Sequence, residues 1–104
     1  MTGTRDAADA YDTDLSPFTY RPLEMRDADA VAELVGSLDP AASLDVVVNN
    51  AGMTSLGAGT DAATLVEETS PADWDDTLSH NLTTSFLVCR AVVPRMRAQG
   101  YGRI

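Results

Sequence analysis

Three apolar patterns lie along the chain, each of a different period. After Asp27, the apolar residues Ala30, Val31, Leu34, Val35 and Leu38 recur at three- and four-residue steps. That spacing predicts an amphipathic helix. Asp27 is its expected N-cap, Asp29 suits the positive end of the helix dipole, and Asp39-Pro40 is expected to end it. The period then disappears. Leu44, Val46, Val47 and Val48 form a β-branched run that favours extended backbone. Lacking polar alternation, the run predicts a strand buried on both faces, as in a parallel sheet. From Pro71 the helical period returns. Trp74, Leu78, Leu82, Phe86, Arg90 and Pro94 fall four apart, with Trp74, Asn81, Ser85, Val88 and Val92 on an adjacent strip. One long helix, 71–99, is expected, capped by Ser70 with Pro71 at its first position. Its face is wide enough to pack on a sheet and meet a second surface. Pro94 should kink its last turns, and Gly100 should stop it.

Weaker patterns fill the intervals. Phe18 to Met25 reads as a strand, with Pro22 placing it near a sheet edge. Asp6 to Asp14 is either a short solvated helix or a loop. Thr54 to Thr69 is rich in Gly, Ala, Thr and Ser and reads as a long loop. Gly102, Arg103 and Ile104 resemble the entry to another strand. Strands and helices therefore alternate. The expected fold is α/β, a parallel sheet with helices on both faces joined by right-handed crossovers. All 104 residues are expected to form one domain.

Composition narrows the function. Apolar residues make up 44% of the chain, and the formal charge is −9. So acidic a chain is a poor partner for nucleic acid or an anionic membrane. No stretch approaches the roughly 18 apolar residues of a membrane span. The single cysteine, Cys89, forms no internal disulfide and fits a reducing, cytoplasmic compartment. It lies in an apolar run and reads as a core residue rather than a nucleophile. No His, Cys or Asp cluster has metal-ligand spacing, so no metal is expected.

The candidate chemistry begins where the valine run ends. Asn49 and Asn50 bring amides to the carboxyl end of the strand, and Ala51 and Gly52 bring almost no side chain. Ligands of open α/β sheets bind outside the carboxyl ends of strands. Small residues there let a ligand approach the backbone.

Four features together resemble the middle of a short-chain dehydrogenase/reductase. Asn49-Asn50-Ala51-Gly52 matches the NNAG that ends the family's fourth strand. Glu24-Met25 falls where the family places an acidic residue, usually in an Asp-Val pair, after its third strand. Asn81, in HNLTTSF, matches the central-helix asparagine. Pro94, Met96, Gly100, Gly102, Arg103 and Ile104 match the stretch leaving that helix. The resemblance implies a partial Rossmann-type doubly wound sheet. It implies hydride transfer between nicotinamide and a small carbonyl or alcohol substrate. Glu24 and Met25 would contact the adenine and Asn49 to Gly52 the adenine ribose, while Asn81 would be catalytic, extending a proton relay through a backbone-bound water. Arg5 falls where the family often recognises a phosphate on the ribose, which favours NADP over NAD. A homo-oligomer is implied through the long helix 71–99, with Trp74, Phe86 and Met96 as candidate contacts.

The resemblance also defines what this sequence lacks. No G-x-x-x-G-x-G loop is present. Tyr11, Tyr20 and Tyr101 are not followed four residues later by lysine, and the chain contains no lysine. The catalytic serine and Tyr-x-x-x-Lys pair would follow Ile104. The sequence is therefore read as a central fragment, inactive alone. The alternatives are a catalytically dead dimerisation module and a non-functional gene remnant. His80 reads as a surface or interface residue.

Overall fold

The computed structural model describes residues 1–52 and 65–104, so Met53 and most of the Thr54–Thr69 loop lie outside the described residues. Strand β1 is Thr2–Gly3 and strand β2 is Arg21–Pro22. They pair in parallel, Thr2 with Arg21 and Gly3 with Pro22. Between them lies a single 3-10 turn, Ala8–Ala10. The expected strand over Phe18–Met25 is thus trimmed to two residues. Pro22 has no N–H to donate to a ladder, which limits its length.

Helix α1 spans Ala28–Gly36. The Asp27 carboxylate accepts from the backbone N–H groups of Asp29 and Ala30, both at 3.0 Å. The expected end at Asp39-Pro40 is corrected: the helix stops at Gly36, where the Ser37 hydroxyl donates to Leu34 O at 2.8 Å. That local bond competes with continued helix.

Helix α2, Pro71–Leu78, begins as expected, with the Ser70 hydroxyl accepting from Asp73 N–H at 3.1 Å. The single helix over 71–99 is corrected at its middle. A π segment, Ser79–Thr83, separates α2 from helix α3, Thr84–Gln99. α3 continues through Pro94 and ends at Gly100, whose φ of 77° is left-handed. Glycine adopts that conformation without strain.

The core forms where α1 meets α3. Val31 from α1 and Val88, Val92 and Met96 from α3 are buried, with Leu23, Met25, Val35, Leu44, Val47 and Ala91 packed around them. Each buried side chain of this size contributes roughly 1.5–3 kcal/mol. Met96 therefore belongs to the core, not to an outer face open to a partner. Two polar clamps tie the central run and the segment leading into it to the same helix. The Gln99 amide accepts from Leu44 N–H at 3.1 Å and donates to Leu44 O at 3.0 Å. The Arg95 guanidinium donates to the carbonyls of Leu38, Asp39 and Ala42.

Central-run pairing is parallel but short. Val47 N–H donates to Arg103 O, and Arg103 N–H donates to Asp45 O, both at 2.9 Å. The expectation of burial on both faces is corrected: Val47 packs on the core, but Val46 is 58% and Val48 78% exposed. Alternate residues of a strand face opposite ways, and the described residues supply a core to one face only.

Gly102 and Gly36 should respond oppositely to alanine. A Cβ on Gly102 would overlap the Met96 side chain, whereas nothing lies within 4 Å of one on Gly36. Gly102→Ala is expected to lower stability by about 2 kcal/mol through overpacking. Gly36→Ala is expected to raise it by about 0.5–1 kcal/mol. Urea midpoints of the two variants check both signs.

Candidate functional site

Two polar segments meet beyond the central run. Asn49, Asn50, Ala51 and Gly52 follow Val48 and are exposed. Asn81 projects from the π segment and is half-buried. A Cβ on Gly52 would come within 2.6 Å of Asn81 Oδ1. The glycine therefore allows an approach that no other residue permits. Asn49 Nδ2 donates to Cys89 Sγ on α3 at 3.7 Å, a weak sulfur contact that ties the amide to the same helix.

The π segment has a visible local cause. Asn81 Nδ2 donates to Thr77 O at 3.0 Å, the Thr84 hydroxyl to His80 O at 2.8 Å, and the Ser85 hydroxyl to Asn81 O at 3.1 Å. Such side chains compete for helical carbonyls. Thr84 N–H reaches back five residues to Ser79 O. π-bulges often mark functional positions in helices. The apolar period hides this break; the signal for it is the polar spacing of Thr77, Asn81, Thr84 and Ser85.

Glu24 sits just beyond β2 and is held by Arg26. The Arg26 Nε and Nη2 atoms donate to the two carboxylate oxygens at 3.1 and 3.2 Å, and its backbone N–H donates at 3.0 Å. The Arg26 hydrogen bonds hold the Glu24 carboxyl down at about 2, against an ordinary 4.5. Arg26 Nη1 lies 3.7 Å from Asp76 Oδ1 on α2. Asp76 is also 3.3 Å from His80 Nδ1. That nitrogen lies 2.9 Å from Asp76 O as well, so it faces two oxygens of one residue. A chain of four charged or polar side chains thus runs from Glu24 to the residue beside Asn81. Arg26 and Asp76 are the members that motif spacing does not mark.

Arg5 belongs to a separate cluster beyond β1. Its guanidinium lies 4.7 Å from the centroid of the Tyr11 ring and donates to Ala10 O. The Tyr20 hydroxyl donates to Arg5 O at 2.6 Å and lies 3.4 Å from the Tyr11 hydroxyl. Desolvation pushes Tyr20 up to about 12, and its hydrogen bond lowers Tyr11. Met25 faces inward: it packs on the core, and the Thr2 hydroxyl reaches its sulfur at 3.8 Å.

Chemically, the arrangement offers an anionic acceptor, a wall without side chains and an orienting amide. Among the described residues no group of His, Cys, Asp and Glu could hold a metal ion, and no helix is long and apolar enough to cross a membrane.

Comparison with known proteins decides the family. The family model described as short chain dehydrogenase matches residues 4–104. The chain belongs to this family. D-threitol dehydrogenase of Mycolicibacterium smegmatis is 42% identical over 77 residues, covering 74% of this chain and 25% of that protein. The 2-(R)-hydroxypropyl-CoM dehydrogenase of Xanthobacter autotrophicus is 35% identical over 78 residues, covering 75% and 30%. The chain thus spans about a quarter to a third of these relatives. Serine dehydrogenase from Escherichia coli superposes with a TM-score of 0.65 at 26% identity, over 80% of this chain and 36% of its own. A variant of ElxO with NADPH bound superposes at 0.75 over 97% of this chain and 41% of its own; at 19% identity it bears on the fold alone. The family assigns the two parallel contacts and their helices to a partial Rossmann-type, doubly wound α/β sheet.

Two tests follow from the site geometry. Gly52→Ala should displace the Asn81 side chain, read as a shift of its amide signals in a 15N-correlation spectrum, with the Val31 methyl signals unchanged. For Glu24, the folded-state carboxyl lies below its unfolded value. Its tie to Arg26 therefore contributes stability fully above the ordinary 4.5, and that contribution is lost as pH falls from there toward 2. Arg26→Gln should flatten the stability–pH curve in that window, as checked by urea unfolding at each pH.

Proposed function

We propose that these 104 residues are the central part of the dinucleotide-binding domain of an NAD(P)-dependent oxidoreductase acting on a small carbonyl or alcohol. The observation that carries this reading is the meeting of Gly52 and Asn81, two motif residues 29 positions apart in sequence, beyond a parallel strand contact. The dehydrogenase names of the relatives support it. Bound nicotinamide supplies the hydride. Asn49 to Gly52 would line the adenine ribose, the Glu24 carboxylate would accept from the adenine amino group, and the backbone N–H of Met25, whose side chain packs on the core, would meet the ring. Asn81 would extend the proton relay through a water bound at its backbone. Arg5 presents its remaining donors to a ribose phosphate, which favours NADP. The enzyme works in the cytoplasm. General acid–base chemistry needs a proton donor matched to the reacting oxygen. The chain has no lysine and no Tyr-x-x-x-Lys pair, so it does not turn over substrate alone.

Incubating the purified, mass-verified 104-residue chain with NADPH and a panel of ketones tests this. Weak nucleotide binding without carbonyl-dependent oxidation of NADPH is expected. Measurable turnover would overturn the assignment of the missing chemistry.

A second reading rests on an exposed apolar row. Trp74 on α2, Leu82 in the π segment and Phe86 on α3 are 56%, 64% and 59% exposed. This row would serve a homo-oligomer, whether in the enzyme or in a catalytically dead module. Phe86→Glu should convert a dimer to a monomer in sedimentation. A monomeric parent chain sinks the reading.

A further inference from the structure

We propose that Arg26 is a positioning residue: it fixes the Glu24 carboxylate for a nucleotide base and, through Asp76, ties it to the helical turn that carries Asn81. The inference rests on the reading of Glu24 as the adenine acceptor and adds to it a residue that the sequence motifs leave unassigned. Three observations carry it. The guanidinium grips the carboxylate with two parallel N–H bonds while the Arg26 backbone N–H adds a third. Bidentate pairing fixes orientation as well as charge. The remaining Nη1 is directed to Asp76 on α2, so one planar group spans the end of β2 and the helix. Asp76 then meets His80, the neighbour of Asn81, by both its backbone and its side chain.

A free glutamate on a short exposed loop would sample several rotamers, and a base would have to order it on binding. The fork removes that cost beforehand. It also explains how glutamate, one methylene longer than the usual aspartate, holds its carboxylate in a single place. Each exposed ion pair alone is worth little. Here one guanidinium serves both carboxylates, so the geometry is shared along the chain of contacts.

Adenosine 5′-monophosphate and inosine 5′-monophosphate are the probes, because they differ at the group Glu24 would accept from. The full chain is titrated with each by calorimetry, and the Glu24 carboxyl is followed by 13C resonance against pH. The parent chain should prefer the adenine nucleotide by about tenfold. Arg26→Gln should bring that ratio close to one and move the Glu24 midpoint from about 2 toward 4.5. Arg26→Lys should restore charge without the fork, leaving the ratio low. Asp76→Asn should keep the ratio but abolish the shift of the Asn81 amide on nucleotide addition. Unchanged Val31 methyl signals show that each variant is folded.

The proposal is overturned if Arg26→Gln keeps the preference while Glu24→Gln loses it, or if Asp76→Asn leaves the Asn81 response intact. In the first case Glu24 remains the adenine acceptor. If Glu24→Gln also keeps the preference, or the parent has none, the adenine reading itself falls.

Discussion

The packing of α3 on α1 is the contact on which the rest of the chain depends. Val88, Val92 and Met96 recur four residues apart and close over Val31. The central run is referred to that seam. Val47 and Leu44 pack on it, and Gln99 from the same helix holds the Leu44 backbone. Arg95, one residue before Met96, gathers the carbonyls of the α1 exit. A hydrophobic seam is non-directional, so by itself it would leave the central run free to slide. The two polar clamps supply the register, because their hydrogen bonds are satisfied in one position only.

That register sets the site. With Leu44 and Val47 fixed on the helix, Asn49 reaches Cys89 and Gly52 reaches Asn81. The helix contributes its own adjustment at Ser79–Thr83, where threonine and serine hydroxyls take helical carbonyls and the backbone widens. The extra residue changes the phase of the apolar rows. Downstream of it Val88 and Val92 turn inward, while Leu82 within the segment and Phe86 beyond it are left in solvent. One local polar pattern therefore decides both which face is core and where Asn81 sits.

Much of this was legible in the chain. Asp27 and Ser70 cap their helices because the oxygen-bearing side chain stands just before an apolar period. Gly100 ends α3 because only glycine takes a left-handed turn without strain. Arg103 pairs in parallel with Val46 as the strand pattern at Gly102–Ile104 anticipates. What was not legible depends on partners remote in sequence. Burial of Val46 and Val48 requires a second layer, and periodicity carries no information about whether one is present. The partnership of Glu24 with Arg26 and Asp76 joins residues 52 positions apart, and the inward turn of Met96 depends on the close approach of Gly102.

The central claim is that Glu24, Asn49–Gly52 and Asn81 face one nucleotide. Amide shift mapping of the full chain on addition of NADPH tests it most directly. Shifts concentrated at Glu24, Met25, Asn49 to Gly52 and Asn81, with the Val31, Val88 and Val92 signals still, are the predicted result. Shifts confined to the Trp74, Leu82 and Phe86 row, or none at saturating NADPH, would contradict it.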